Sequence, residues 1–240
     1  DVAGLARSTA MTAIGNAGLM VGAVTESASE TVPAGRVISQ NPAPGTVLAA
    51  NAPVDIEVSL GPALVTMPDA NLAAVIRSTL GLAADTPLTG AHLLALTELD
   101  GDNSSIADLT GLEHAANLGY LRLGGNQITS LAPLDGLKAI WFLVLYENQL
   151  TDLSPLAGMT AMNTLNIRAN QISDLTPLAA LVNMKEMMFN DNQITDVSAL
   201  AGLTAPAALY LSGNPLSTDA CGTQIPALQA AGVTVTSDCL

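Results

Sequence analysis

The chain has 240 residues, of which 49% are hydrophobic and 12% charged, so it can bury a core. Its 21 aspartates and glutamates outnumber its seven lysines and arginines, which gives a net charge of −14. Phosphate backbones and anionic lipid headgroups repel such a chain, which argues against nucleic-acid and membrane-surface partners. No stretch approaches the ~18 consecutive apolar residues of a membrane span, and no signal peptide is recognisable at the amino terminus. We therefore expect no membrane insertion.

Residues 1–61 lack any repeat and are predicted to form a small α+β domain. The predicted elements are a helix over 5–17, a strand over 19–25 and a closing strand over 54–60. The segment Val32-Pro-Ala-Gly-Arg-Val-Ile-Ser-Gln-Asn-Pro-Ala-Pro-Gly45 lies between the two strands and is rich in turn-forming residues. Gly61 and Pro62 end the last strand, so residues 62–67 are predicted to form a linker.

Residues 68–95 are predicted to form a helical cap. Apolar residues recur at helical spacing over 69–80, and Gly81 follows where a helix would end. A second, short helix is predicted to begin at Thr89. Such caps are needed wherever a repeat array would otherwise expose its core.

Residues 96–216 repeat with a period of 22. Apolar residues stand five and three positions before a recurring asparagine and two after it, which is the leucine-rich repeat pattern L-x-x-L-x-L-x-x-N-x-[IL]. Each repeat is predicted to contribute one short parallel strand and one 3₁₀ turn on the convex side. The asparagine amides are predicted to hydrogen bond turn backbone, a structural role. These asparagines are Asn126, Asn148, Asn170, Asn192 and Asn214.

The predicted fold class is α+β. A small α+β domain is followed by a right-handed solenoid with a parallel concave sheet, a helical N-terminal cap and a C-terminal cap over 217–240. Within the C-terminal cap, a turn and helix are predicted over 222–231 and a strand over 233–235.

Motifs for catalysis and metal binding are absent from the sequence. His92 and His114 are interpreted as ordinary, partly exposed residues. The segment Asp100-Gly-Asp102-Asn-Ser104 resembles the start of a calcium loop, but Ser105 and Gly111 replace the glycine and glutamate that such a loop needs. We therefore expect no enzyme activity, no cofactor and no metal site.

The concave face of the predicted sheet is the candidate binding surface. Side chains six, four and two positions before each asparagine point outward, and four of the chain's six aromatic residues stand there. Aromatic residues and arginine are enriched at binding hot spots, although sheets favour aromatic residues in any case. The candidate binding residues are Tyr120, Arg122, Phe142, Val144, Tyr146, Arg168, Met188 and Tyr210.

Residues 1–61 resemble a PASTA domain, the small module of bacterial penicillin-binding proteins and receptor-type serine/threonine kinases. The resemblance rests on Asp1-Val-Ala-Gly-Leu5, on Ala17-Gly-Leu19 and above all on the segment 32–45. The Val-Pro that usually precedes the first of these is missing, so we expect that the chain begins inside a longer protein. The resemblance implies a location outside the cytoplasm and either binding of peptidoglycan fragments or a spacer role.

Residues 64–240 resemble the internalin-type leucine-rich repeat proteins of bacterial surfaces, including their helical amino-terminal cap. Those proteins often continue into an immunoglobulin-like domain, whereas this array ends in a cysteine-bearing cap. The oxidising surroundings that the resemblance implies favour a disulfide between Cys221 and Cys239. The alternative is two reduced thiols.

Two function classes follow from these features. The first is a bacterial extracellular or cell-wall-associated protein whose concave face binds a protein of a host or neighbouring cell, or a glycan. Residues 1–61 would then be a spacer or a weak binder of peptidoglycan fragments. The alternative is the extracytoplasmic sensor region of a larger cell-wall enzyme or receptor-type serine/threonine kinase. The sequence preceding Asp1 would separate the two classes.

Overall fold

The computed structural model describes residues 1–203 and 207–239. The chain divides into two compact units by its internal contacts. The first unit comprises residues 1–64 and 89–91, and the second comprises residues 65–88 and the chain from residue 92 onward.

The first unit contains a helix and a small sheet. Its elements are α1 (Arg7–Asn16), β1 (Met20–Ser27), β2 (Val37–Asn41) and β3 (Pro53–Ser59). The central strand is β3, which pairs in parallel with β1 and antiparallel with β2. Val54, Ile56 and Val58 alternate along β3 and pack with Ile14 of α1 in the core. Strand β2 is not predicted from the sequence, because its five residues lie inside the proline- and glycine-rich segment 32–45.

The rest of the described chain is built around a parallel sheet of seven strands, which lie side by side in chain order. Strands β4 to β9 begin 22 residues apart and pair in register, so equivalent residues of successive repeats are neighbours. The remaining elements are α2 (Ala70–Thr79), α3 (Gly90–Leu94), β4 (Glu98–Asp100), β5 (Tyr120–Arg122), β6 (Phe142–Val144), β7 (Thr164–Asn166), β8 (Glu186–Met188), β9 (Ala208–Tyr210), α4 (Ile225–Ala230) and β10 (Thr234–Thr236).

Short 3₁₀ turns occupy the second half of each repeat, as the sequence predicts. Proline stands in the middle of three of them, where its fixed φ suits a tight turn and its missing N–H costs no ladder bond. The 3₁₀ turns of the described repeats are Leu112–His114, Ala132–Leu134, Ser154–Leu156, Thr176–Leu178 and Ser198–Leu200. The expected α+β class with a leucine-rich repeat solenoid is therefore confirmed.

One continuous core runs through the solenoid, from Leu72 and Ile76 of α2 to Leu228 of α4. The inward-pointing residues of β4 to β9 are fully buried, and so is Phe189, which directly follows β8 and has the largest of the fully buried side chains. Burying each such side chain contributes about 1.5–3 kcal/mol of favourable transfer free energy. The aliphatic columns of the repeat therefore supply most of the stabilisation of this unit.

The asparagine of each repeat bridges two successive coils, as Asn148 illustrates. Its Nδ2 donates to the carbonyl oxygens of Leu123, at 2.9 Å, and Leu145, at 3.1 Å. Its Oδ1 accepts a hydrogen bond of 2.9 Å from the N–H of Ile128 in the preceding repeat. The side chain thus satisfies backbone groups that the turn leaves without partners and that water cannot reach.

The N-terminal cap is attached to the first repeat through Asp69. One carboxylate oxygen accepts from the N–H groups of Asn71 and Leu72, which caps α2. The other accepts from the N–H groups of Ala107, at 2.8 Å, and Asp108, at 3.1 Å. Partial burial alone would raise the pKa of Asp69, but these four backbone donors outweigh it and lower the pKa below 3.8.

Replacing Asp69 with alanine should destabilise the cap by about 1–2 kcal/mol at pH 7, the usual effect of losing an N-cap. Because the pKa is lowered in the folded state, the carboxylate stabilises the fold above pH 3.8 and loses that effect as pH falls through the folded-state pKa. The melting temperatures of the two proteins should therefore converge below pH 3.8. A difference that stays the same from pH 7 to pH 2.5 would contradict this role.

The C-terminal cap closes the other end of the sheet. Strand β10 pairs in parallel with β9, and the disulfide that the sequence analysis predicts joins Cys221 to Cys239, with Cα atoms 5.4 Å apart. Gln224 accepts a hydrogen bond of 2.8 Å from the N–H of Val197 in the last convex turn. The predicted helix over 222–231 differs in detail, because a π-helical turn over Ala220–Gln224 precedes α4.

Candidate functional site

The outward-pointing side chains of strands β4 to β10 form the concave face, and register arranges them in rows across the sheet. Adjacent strands lie about 4.8 Å apart, so the side chains of neighbouring members of one row can contact each other. The first row is Glu98, Tyr120, Phe142, Thr164, Glu186 and Ala208, and the second is Asp100, Arg122, Val144, Asn166, Met188 and Tyr210.

Tyr120 on β5, Phe142 on β6 and Trp141, which directly precedes β6, form an aromatic cluster. The rings of Tyr120 and Phe142 are stacked, with centroids 4.5 Å apart and planes 8° from parallel. The Trp141 ring lies 6.0 Å from Tyr120 and 5.8 Å from Phe142, tilted against both. Trp141 remains 45% exposed. These are favourable aromatic geometries, and they leave a large apolar surface in contact with water.

Sequence reasoning missed Trp141, because it precedes its strand and stands outside the outward-pointing columns. The signal that could have found it is Gly119, the equivalent residue of the preceding repeat. A Cβ atom at Gly119 would lie 2.9 Å from Nε1 of Trp141, so the indole ring lies where a side chain would otherwise be. Gly124 makes room in the same way for the ring of Tyr146.

Asp102 organises the edge of the face beside β5. Its carboxylate accepts two hydrogen bonds from Arg122, one of them 2.9 Å from Nε, and one of 2.7 Å from the N–H of Gly124. The hydroxyl of Tyr146 lies 3.5 Å from the same carboxylate. The hydrogen bonds that Arg122 donates to Asp102 raise the pKa of the Arg122 guanidinium, which is therefore held as a fixed cation.

This arrangement also accounts for the calcium-like segment 100–104. The carboxylate of Asp102 is engaged by Arg122 and backbone, and its side chain is only 12% exposed. Within residues 1–203 and 207–239, no group of histidine, cysteine, aspartate and glutamate side chains could hold a metal ion. In the same residues, no helix has the length and apolar character needed to cross a membrane.

The other predicted binding residues are distributed along the face. Val144 is only 5% exposed, which corrects the expectation that it offers contact area. Arg168 is largely exposed and pairs with Asp191 at 3.3 Å. Met188 and Tyr210 are partly exposed neighbours on β8 and β9. The structure thus brings Tyr120 and Phe142 together and leaves the Met188–Tyr210 pair farther along the sheet.

Comparison with known families identifies two parts of the chain. The PASTA domain model matches residues 1–60, and the model for two copies of leucine-rich repeats matches residues 142–180. No curated protein matches the chain significantly.

Solved structures similar to this chain include internalins of Listeria monocytogenes. InlF is 32% identical with a TM-score of 0.58, and the match covers 62% of this chain and 45% of InlF. The functional domain of InlJ, which includes a cysteine ladder, is 26% identical with a TM-score of 0.51, covering 66% of this chain and 39% of that one. A leucine-rich repeat protein of Leptospira interrogans, 21% identical with a TM-score of 0.51, shares the fold over 55% of this chain and 34% of its own.

The matched part is therefore less than half the length of each of these proteins. The repeat spacing and the parallel sheet agree with the leucine-rich repeat model, and the PASTA model matches the separate first part of the chain. The chain contains a PASTA domain and leucine-rich repeats, and its repeats are similar to those of internalins.

Proposed function

We propose that the protein is a non-enzymatic binding protein of a bacterial cell surface or its surroundings, and that its concave face recognises another protein. The observation that carries the proposal is the aromatic cluster, in which three of the chain's six aromatic residues meet, two of them on the outside of adjacent strands and the third directly before one of these strands. The similarity to internalins and the PASTA domain support a location outside the cytoplasm.

The cluster is better explained by binding than by stability alone. A stacked aromatic pair contributes about 0.5–1.5 kcal/mol beyond its buried area, but Trp141 keeps nearly half of its surface in water. A partner that covered the three rings would bury that area and supply the anchor residues typical of interface centres. For residues 1–60 we propose a spacer role, with weak binding of peptidoglycan fragments as the alternative.

Replacing Phe142 with serine should weaken partner binding about 10- to 100-fold, the range seen when a hot-spot residue is truncated. The partner would first be isolated from surface proteins of host or neighbouring cells, using the wild-type chain as bait. Its affinity for the wild type, for Phe142→Ser and for Asp135→Ser would then be measured by calorimetry.

Asp135 is the matched control, because it is exposed and directly follows the convex turn Ala132–Leu134. Thermal melts of all three proteins separate binding from stability. Equal affinities with equal melting temperatures would show that the partner does not use the cluster.

A further inference from the structure

We infer that the concave face selects a partner segment that carries lysine or arginine, with the cationic side chain placed on the aromatic cluster. This inference rests on the proposed binding function and specifies the chemistry of the partner. It follows from the distribution of charge around the cluster.

Uncompensated carboxylates stand on both sides of the aromatic stack. Glu98 is one strand from Tyr120 in the first row, and Glu186 is two strands from Phe142, with the short side chain of Thr164 between them. Both glutamates are exposed. In the part of the chain that the structure describes, neither has an ion-pair partner.

The arginines of the face do not balance these charges. Arg122 is held by Asp102 and lies 3.8 Å from Asp100, so two carboxylates already surround it. Arg168 pairs with Asp191. The face is therefore net negative on a chain whose overall charge is −14, and its field attracts cations and repels anionic partners.

The aromatic rings add a second interaction for the same cation. An ammonium or guanidinium group is attracted to the face of an aromatic ring when it lies within about 6 Å of the ring centroid, and tryptophan is the best acceptor. Glu98 is about 4.8 Å from Tyr120 across the sheet, so one cation can contact a ring and a carboxylate together. A neutral glycan could also stack on the rings and donate hydroxyl hydrogen bonds to the glutamates, but it would gain no charge attraction from them.

The chain carries its own probe for this test. Trp141 is its only tryptophan and belongs to the cluster, so tryptophan emission reports directly on this part of the face. We would titrate the protein with a blocked peptide of four Gly-Ser-Arg units and with the same peptide carrying glutamine in place of arginine. We expect saturable emission changes with the arginine peptide only, and weaker binding as NaCl is raised from 50 to 300 mM.

Charge variants test whether the effect is local. Glu98→Gln should weaken binding of the arginine peptide about two- to fivefold, which is typical of losing one exposed charge pair, and Glu98→Gln with Glu186→Gln about tenfold. Asp135→Asn removes the same charge from the convex side and should leave the affinity unchanged. An equal loss in Asp135→Asn would mean that only overall charge matters and would overturn the inference.

Two further outcomes would overturn it. One is equal affinity for the arginine and glutamine peptides, or no binding of the arginine peptide at 50 mM NaCl. The other is a saturable response to a tetramer of N-acetylglucosamine that Glu98→Gln leaves unchanged, which would identify a glycan site. If Phe142→Ser weakens binding of the isolated partner but the arginine peptide does not bind to the wild type, the proposed binding function stands and only the preference for a cationic segment is wrong.

Discussion

Replacing Asn148 with alanine should destabilise the leucine-rich repeat unit by about 3–4 kcal/mol. Each buried group left without a hydrogen bond costs about 1–3 kcal/mol, and this substitution affects backbone groups of two coils. The N–H of Ile128 loses its acceptor. The carbonyl oxygens of Leu123 and Leu145 each lose one of two donors and keep only the hydrogen bond from the asparagine of the neighbouring repeat. Alanine also leaves unfilled space in a closely packed interior, which adds the cost of a cavity.

Urea unfolding followed by tryptophan emission measures this effect in the right place, because Trp141 is the only tryptophan and stands on the repeat sheet. Asn183→Ala is the matched control. The Asn183 side chain is exposed and donates one hydrogen bond of 3.1 Å to the carbonyl of Thr160, so its loss should cost about 0.5–1 kcal/mol. Similar losses in the two variants would mean that the buried bridges contribute little.

The repeat unit could be predicted from sequence because its local and long-range contacts share one period. A 22-residue spacing fixes which residues point inward, and stacking of equivalent strands follows from it. Strand β2 of the first unit has no such support. Its core residue Val37 belongs to a short segment bounded by proline and glycine, and it is a strand only because β3 pairs with it.

The candidate site could be predicted only in part. The positions of Tyr120 and Phe142 follow from the alternation within each strand, but the location of Trp141 depends on the absence of a side chain at Gly119, one repeat earlier. The role of Asp102 could not be predicted for a similar reason. Its local sequence resembles a calcium loop, whereas its partners, Arg122 and the N–H of Gly124, belong to the next repeat. Contacts of this kind depend on which two residues face each other in successive repeats. A repeat pattern describes each position separately and does not predict such pairs.

Removing the disulfide by Cys221→Ser with Cys239→Ser should destabilise the C-terminal cap by about 3 kcal/mol. The bond closes a loop with a sequence separation of 18, and closing a loop of that length restricts the unfolded chain by about this amount. The cap covers the last coil through Leu228 and Val233, which are buried against the repeat core. Loss of the bond should therefore allow β10 to separate from β9 before the central repeats unfold.

Two probes distinguish opening of the cap from global unfolding. Amide hydrogen exchange should increase at Leu211, whose N–H donates to the carbonyl of Thr236 on β10, and remain slow at Leu145, whose N–H donates to Asn166 in the central sheet. Wild-type protein that has been reduced and alkylated should behave like the double serine variant. Unchanged exchange at Leu211 in both samples would mean that packing alone holds the cap, and two free thiols in the intact mass of the untreated protein would show that the disulfide does not form.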